Sequence, residues 1–167
     1  WGVFVWSSSN NIAKNIINSR GSGVSVVFGS NNNVTENIII NSTDKGIYLS
    51  EGCTSNKICE NSLINNEIGI GVYHPNNIIY HNYFINNEKQ AYNHYWGTKN
   101  VWDDRYPSGG NYWSDYTGVD SFSGPFQNET GNDGIGDVPY VIDSDNQDRY
   151  PLIRSPPIAD FSHPPST

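Results

Sequence analysis

Methionine is absent from this 167-residue sequence, and cysteine appears only twice. Without an initiator residue the sequence reads as a piece of a longer chain, with any signal peptide or anchor expected outside it. No apolar run approaches the length of about 18 residues that a membrane-spanning helix needs. Basic residues are also scarce, nine against seventeen acids, for a formal charge of −8. That balance argues against nucleic acid and anionic membrane as partners. The two cysteines, Cys53 and Cys59, lie in one turn region. They either close a small disulfide loop, as an oxidising compartment would permit, or remain two buried thiols.

What the chain has is repetition. Ile12-Ala-Lys-Asn15 returns as Val34-Thr-Glu-Asn37, Ile58-Cys-Glu-Asn61 and Ile79-Tyr-His-Asn82, at steps of 22, 24 and 21 residues. Gly2-Val-Phe-Val5, Gly23-Val-Ser-Val26, Gly46-Ile-Tyr-Leu49 and Gly69-Ile-Gly-Val72 keep the same beat. A fixed period in this range marks a repeat architecture, in which one coil cannot bury its own apolar face. The first glycine phrase starts beside Trp1, so the sequence opens inside a coil.

Alternation of apolar and other residues within short segments indicates strands, separated by Ser- and Asn-rich turns. Ile17, Ile39, Leu63 and Phe84 are the inward candidates of one such segment. Coils of about 22 residues built from short strands predict an all-β fold, a right-handed parallel β-helix with an aromatic, acidic C-terminal cap. Equivalent residues then sit one strand spacing apart, roughly 4.8 Å. Asparagine fills 19 of the first 93 positions. Asn15, Asn37, Asn61 and Asn82 are expected to stack as an amide ladder at one corner.

Coils are expected over 1–90, an irregular cap over 91–154, and a Pro-rich linker or the start of a further domain over 155–167. The repeat fades near residue 91 and aromatic residues gather; residues 91–167 carry −7 of the net charge. An exposed solenoid end needs cover, which those rings can supply. Four of them, Trp96, Trp102, Tyr112 and Trp113, double as candidate glycan contacts. The run from Glu129 to Asp137, with Asn132, Asp133 and a following glycine, resembles a Ca²⁺ loop of the Asp-x-Asp-x-Asp-Gly type. Asp143, Asp145 and Asp148 are candidates to complete the shell, so Ca²⁺ is the expected cofactor. Asn33, Asn41 and Asn128 head glycosylation-type sequons.

Gly110-Asn-Tyr-Trp-Ser-Asp-Tyr116, Gly134-Ile-Gly-Asp-Val-Pro-Tyr140 and Asp148-Arg-Tyr-Pro-Leu152 are similar to the C-terminal part of NosD-like β-helix proteins. The resemblance covers roughly residues 1–154 and implies a secreted or surface protein, including archaeal cell-surface types. Pro157-Ile-Ala-Asp-Phe161 resembles the opening strand of a polycystic-kidney-disease-type domain. The family name derives from a periplasmic factor for copper-site assembly, a role implied only by the resemblance. Copper wants thiolate, thioether or imidazole ligands, and His74, His81, His94 and His163 form no close pair in sequence. Related β-helix folds include polysaccharide lyases, epimerases and hydrolases. Those need a base or a carboxylate pair in register, and none falls in register here; Tyr73-His-Pro75 resembles the epimerases' Asp-Pro-His without its Asp. The expectation is a non-catalytic structural or adhesive segment of an extracellular, surface-layer-like protein, meeting neighbouring subunits or surface glycans. The alternatives are a polysaccharide-active enzyme fragment and a periplasmic copper-site assembly factor.

Overall fold

A computed structural model of the chain describes residues 1–95 and 97–154, and these are all strand, turn and loop. No helix among them is long and apolar enough to cross a membrane. The first coil holds β1 (Val3–Val5), β2 (Asn11–Ala13) and β3 (Ile16–Asn18). The second holds β4 (Val24–Val26), β5 (Asn33–Thr35) and β6 (Ile38–Ile40). The third holds β7 (Lys45–Leu49), β8 (Lys57–Cys59) and β9 (Ser62–Ile64). The fourth holds β10 (Ile68–Val72), β11 (Ile78–Tyr80) and β12 (Tyr83–Ile85). Three parallel sheets result, β1-β4-β7-β10-β13, β2-β5-β8-β11 and β3-β6-β9-β12-β14. The fold is a parallel β-helix.

The stack runs on past residue 90. β13 (Lys89–Asn93) pairs with β10, Val101 bridges to Ile78, and β14 (Tyr112–Trp113) pairs with β12. A fifth, looped-out turn of solenoid is thus built from residues at the start of the aromatic region. Two small antiparallel hairpins follow, β15 (Phe122–Ser123) with β16 (Glu129–Thr130) and β17 (Tyr140–Val141) with β18 (Gln147–Asp148). Residues 155–167, with the resemblance at Pro157–Phe161 and His163, lie outside the described residues.

The register stacks like on like. Ile17, Ile39, Leu63 and Phe84 are all buried in one column, Ile12, Val34, Ile58 and Ile79 in a second. The recurring glycine has a steric cause. A Cβ on Gly23 or Gly46 would press on the carbonyl oxygen of the equivalent glycine one coil on, at 2.6 and 2.7 Å.

Asparagine fixes the corners. Asn15 Nδ2 donates to Asn37 Oδ1, Asn37 to Asn61, and Asn61 to Asn82, at 2.8–2.9 Å. A second ladder joins Asn10, Asn32, Asn56, Asn77 and Asn100. The amide direction is forced, because each Oδ1 also accepts the backbone N–H of the preceding ladder residue. The residue before each first-ladder Asn takes a left-handed turn: Lys14, Glu36, Glu60 and His81 have φ of 54–60°. That conformation is unfavourable for a side-chain-bearing residue, and the ladder's hydrogen bonds hold it.

Replacing Asn61 with Ala removes the acceptor for two buried donors of Asn37. Asn37 Nδ2 keeps Ile12 O and Thr35 O, so the orphaned backbone N–H sets the loss at about 1–3 kcal/mol, read as a lower guanidinium midpoint with unchanged slope.

Candidate functional site

The capped end is built by continuing the columns and ladders. Trp102 follows Ile79, and Trp113 follows Phe84; both indoles are only 1% exposed. This corrects their assignment as glycan contacts. They are the last rungs of the core, and Trp113 lies flat between Phe84 and Tyr140 with ring centroids 4.3 and 4.2 Å away. Tyr112 is half-buried beside Tyr83, and Trp96 lies outside the described residues.

Both ladders end on one hairpin. Asn100 N–H and the Trp102 indole donate to Asn146 Oδ1, at 2.9 and 3.3 Å. Asn111, which extends the other ladder beyond Asn82, donates its backbone N–H to Asp148 Oδ2 at 2.6 Å, and the Trp113 indole donates there at 2.9 Å. Asp148 is fully buried. A Cβ on Gly110 would collide with its carboxylate, so glycine stands there. Burial pushes the Asp148 carboxyl up to about 7, against the pull of the Asn111, Trp113 and Tyr150 donors. Beside it, burial works on Asp103 in the same sense, but Arg149 Nε at 2.9 Å and Nη2 at 2.6 Å hold that carboxyl below its ordinary range.

The proposed calcium ligands are dispersed. Asp133 accepts from Ile135 N–H and Gln127 Nε2, and Asp137 from the N–H groups of Ser121 and Phe122. Glu129 and Asn132 are exposed, Asp143 and Asp145 lie on the turn after β17, and Asp148 is in the core. Among the described residues no three His, Cys, Asp or Glu side chains converge on a point fit for an ion. Cys53 and Cys59 form no disulfide: both thiols are free and buried, Cys53 donating to Val26 O and Cys59 sharing a contact with Thr35 Oγ1. Of the sequon residues, Asn41 and Asn128 are exposed and Asn33 is half-buried.

A cleft of ≈ 420 Å³ opens beside this capped end. One wall carries Lys89, Tyr92, His94 and Tyr95, and the other carries Ile142 and the turn from Asp143 to Asp145. His94 stacks on Tyr73 at 4.1 Å, and Tyr95 stands edge-on to both. Lys89 Nζ sits 4.4 Å from the Tyr92 ring centre. Across the gap, Asp143 accepts from Asn93, Asn146 and Asp145 N–H. Burial would raise its carboxyl, yet these donors hold it below the ordinary range. Sequence reasoning took His74 and His94 as isolated imidazoles. The signal it passed over is register: Tyr48 and Tyr92 occupy the same outward column two coils apart, with Gly71 between.

A sequence model of the family described as periplasmic copper-binding protein (NosD) matches residues 1–118. The chain belongs to this family. No curated protein and no solved structure matches significantly. The family's description as periplasmic points to a location in or beyond the cell envelope. Copper is tested by the donor set. There is no methionine, the two thiols are buried apart, and burial raises the Cys53 thiol away from thiolate. His81 bonds Ser108 O on a different flank from His94. Among the described residues these donors do not converge into a copper site.

The Asp148 carboxyl yields a pH test. Its folded value, near 7, exceeds its unfolded value near 3.8, so its proton-linked stability is complete below about pH 4 and is lost as pH rises through 7. Asp148→Asn should flatten that dependence, with the wild-type-minus-variant difference changing by up to about 4 kcal/mol between pH 4 and 8 in urea melts.

Proposed function

We propose that this chain is a rigid, non-catalytic segment of a protein of the cell envelope or surface, and that its capped end binds carbohydrate. The cleft carries this reading: rings on one wall face carboxylates on the other. Pyranose rings present apolar C–H faces that pack on aromatic rings, while their hydroxyls need acceptors such as carboxylates. A few placed polar groups in a largely apolar cleft is the usual composition of a small-ligand site.

Catalysis is disfavoured by the same geometry. A glycosidase acid needs a raised value, whereas the Asp143 carboxyl is hydrogen-bonded into a low one. The buried carboxyl with a raised value, Asp148, has no access to the cleft because it is sealed beneath Trp113 and Asn111. A copper-assembly role finds no support in the donor set.

Calorimetric titration with neutral mono- and disaccharides should show weak, saturable binding that Tyr95→Ala reduces at least tenfold without changing the melting temperature. A Cu(I) titration under reducing conditions, competed with a chelator, should show no stoichiometric uptake. Saccharide affinity unchanged in Tyr95→Ala, together with one bound Cu(I) per chain, would reverse this assignment.

A further inference from the structure

Three side-chain donors that line the cleft are already engaged. Tyr95 donates its hydroxyl to Glu51 at 3.2 Å, Asn93 Nδ2 donates to Asp143 at 2.8 Å, and Ser144 Oγ donates to Asp145 at 3.3 Å. Lys89 rests its ammonium on the Tyr92 ring. What the lining still offers a ligand is acceptor oxygen and ring surface. Asp145 is exposed on the turn between β17 and β18, Asp143 is held ionised beside it, and Tyr95 is 44% exposed. Two carboxylates against one lysine leave the lining at −1, and Glu51 behind Tyr95 makes it −2.

We infer that the cleft selects a cationic amino sugar, a pyranose carrying a protonated amine, over a neutral sugar of the same shape. The inference rests on the carbohydrate reading of the cleft and narrows it to one ligand class. An ionised carboxylate only accepts, so the ligand has to bring the donors. A protonated amine brings three, together with a charge opposite to that of the lining. Aromatic faces attract the same group through their negative quadrupole. This molecule already uses that attraction: Lys45, Lys57 and Lys89 hold Nζ 4.4–5.3 Å from the ring centres of Tyr48, Tyr80 and Tyr92. In the cleft Lys89 occupies Tyr92, which leaves Tyr95 for the ligand. The Tyr95 hydroxyl donates to a carboxylate, and that bond polarises its ring toward greater negative charge. Asp145 lies on the opposite wall, so an amine held between the walls meets ring and carboxylate together. Acetylation of the amine removes the charge and two of the three donors, and an acidic sugar is repelled.

The test compares ligands that share a ring and differ in charge. Glucose, N-acetylglucosamine and glucosamine, with cyclohexylammonium as a cation that is not a sugar, are titrated by calorimetry at about pH 6, where the amines are protonated and exposed carboxylates ionised. Glucosamine should bind at least tenfold more tightly than either neutral sugar, and more tightly than cyclohexylammonium. Its advantage should shrink as salt rises to about 0.5 M, because the charges that create it are partly exposed. Asp145→Asn, at an exposed turn position, should cut the glucosamine-to-glucose ratio at least fivefold while the melting temperature stays that of the wild type. Equal affinity for the three sugars, or a ratio insensitive to Asp145→Asn, overturns the inference and leaves a cleft for neutral sugars. Cyclohexylammonium binding as tightly as glucosamine, with neither neutral sugar bound, overturns the carbohydrate reading and the inference that rests on it. Absence of binding to all four removes both as well.

Discussion

A side-chain amide that accepts on one side and donates on the other makes a polar chain, and such a chain must end on an acceptor. In this solenoid the backbone N–H of each ladder asparagine fixes the next Oδ1, so every Nδ2 points toward the C-terminal end. Both ladders lie at buried corners, where an unmatched donor is costly. The stack cannot simply stop. It needs an acceptor with no further amide donor to satisfy, and a carboxyl group accepting on its oxygens fits that description. Asp148 stands at the end of one ladder, where burial pushes its carboxyl up and the N–H ends of the aligned amide dipoles only partly offset that.

The second ladder's end ties this constraint to the surface. Asn146 receives the ladder on its Oδ1 and spends its own amide on Thr98 O and on Asp143. Asp143 in turn accepts from Asn93, at the end of β13, so the far wall of the cleft is held to the near one. The groups that terminate the interior thus position the acidic turn that faces Tyr92 and Tyr95. Arg149, next to Asp148, locks the opposite side of the hairpin through Asp103. Cap and cleft are one hydrogen-bonded assembly.

The coils were legible because one residue type returns once per turn at a nearly constant step, and both the apolar columns and the first ladder follow directly from that beat. Trp113 was misread because the next step, from Asn82 to Asn111, spans 29 residues. The insertion hides that Trp113 falls in register with Phe84 and Asn111 with Asn82. Trp102 kept the ordinary beat, as Asn100 follows Asn77 by 23 residues, and was lost only among the surrounding aromatic residues. The acidic run resembled an ion loop because sequence shows oxygen atoms but not the backbone N–H groups already aimed at them, as at Asp133 and Asp137. Cys53 and Cys59 sat close in sequence, yet one thiol turns to Val26 and the other to Thr35. The aromatic cleft needed three dimensions, since Tyr73 and His94 become neighbours only through strand register.

Native-state hydrogen exchange addresses the central claim, that coils and cap are one cooperative unit joined through the ladders. The backbone amides of Asn37, Asn61, Asn82 and Asn111 should exchange through the same opening, with the same denaturant dependence, as those of Tyr150 and Leu152 in the cap. If the cap amides exchange by a separate, lower-energy opening while the coil asparagines stay protected, the ladders do not depend on the cap and the account is wrong.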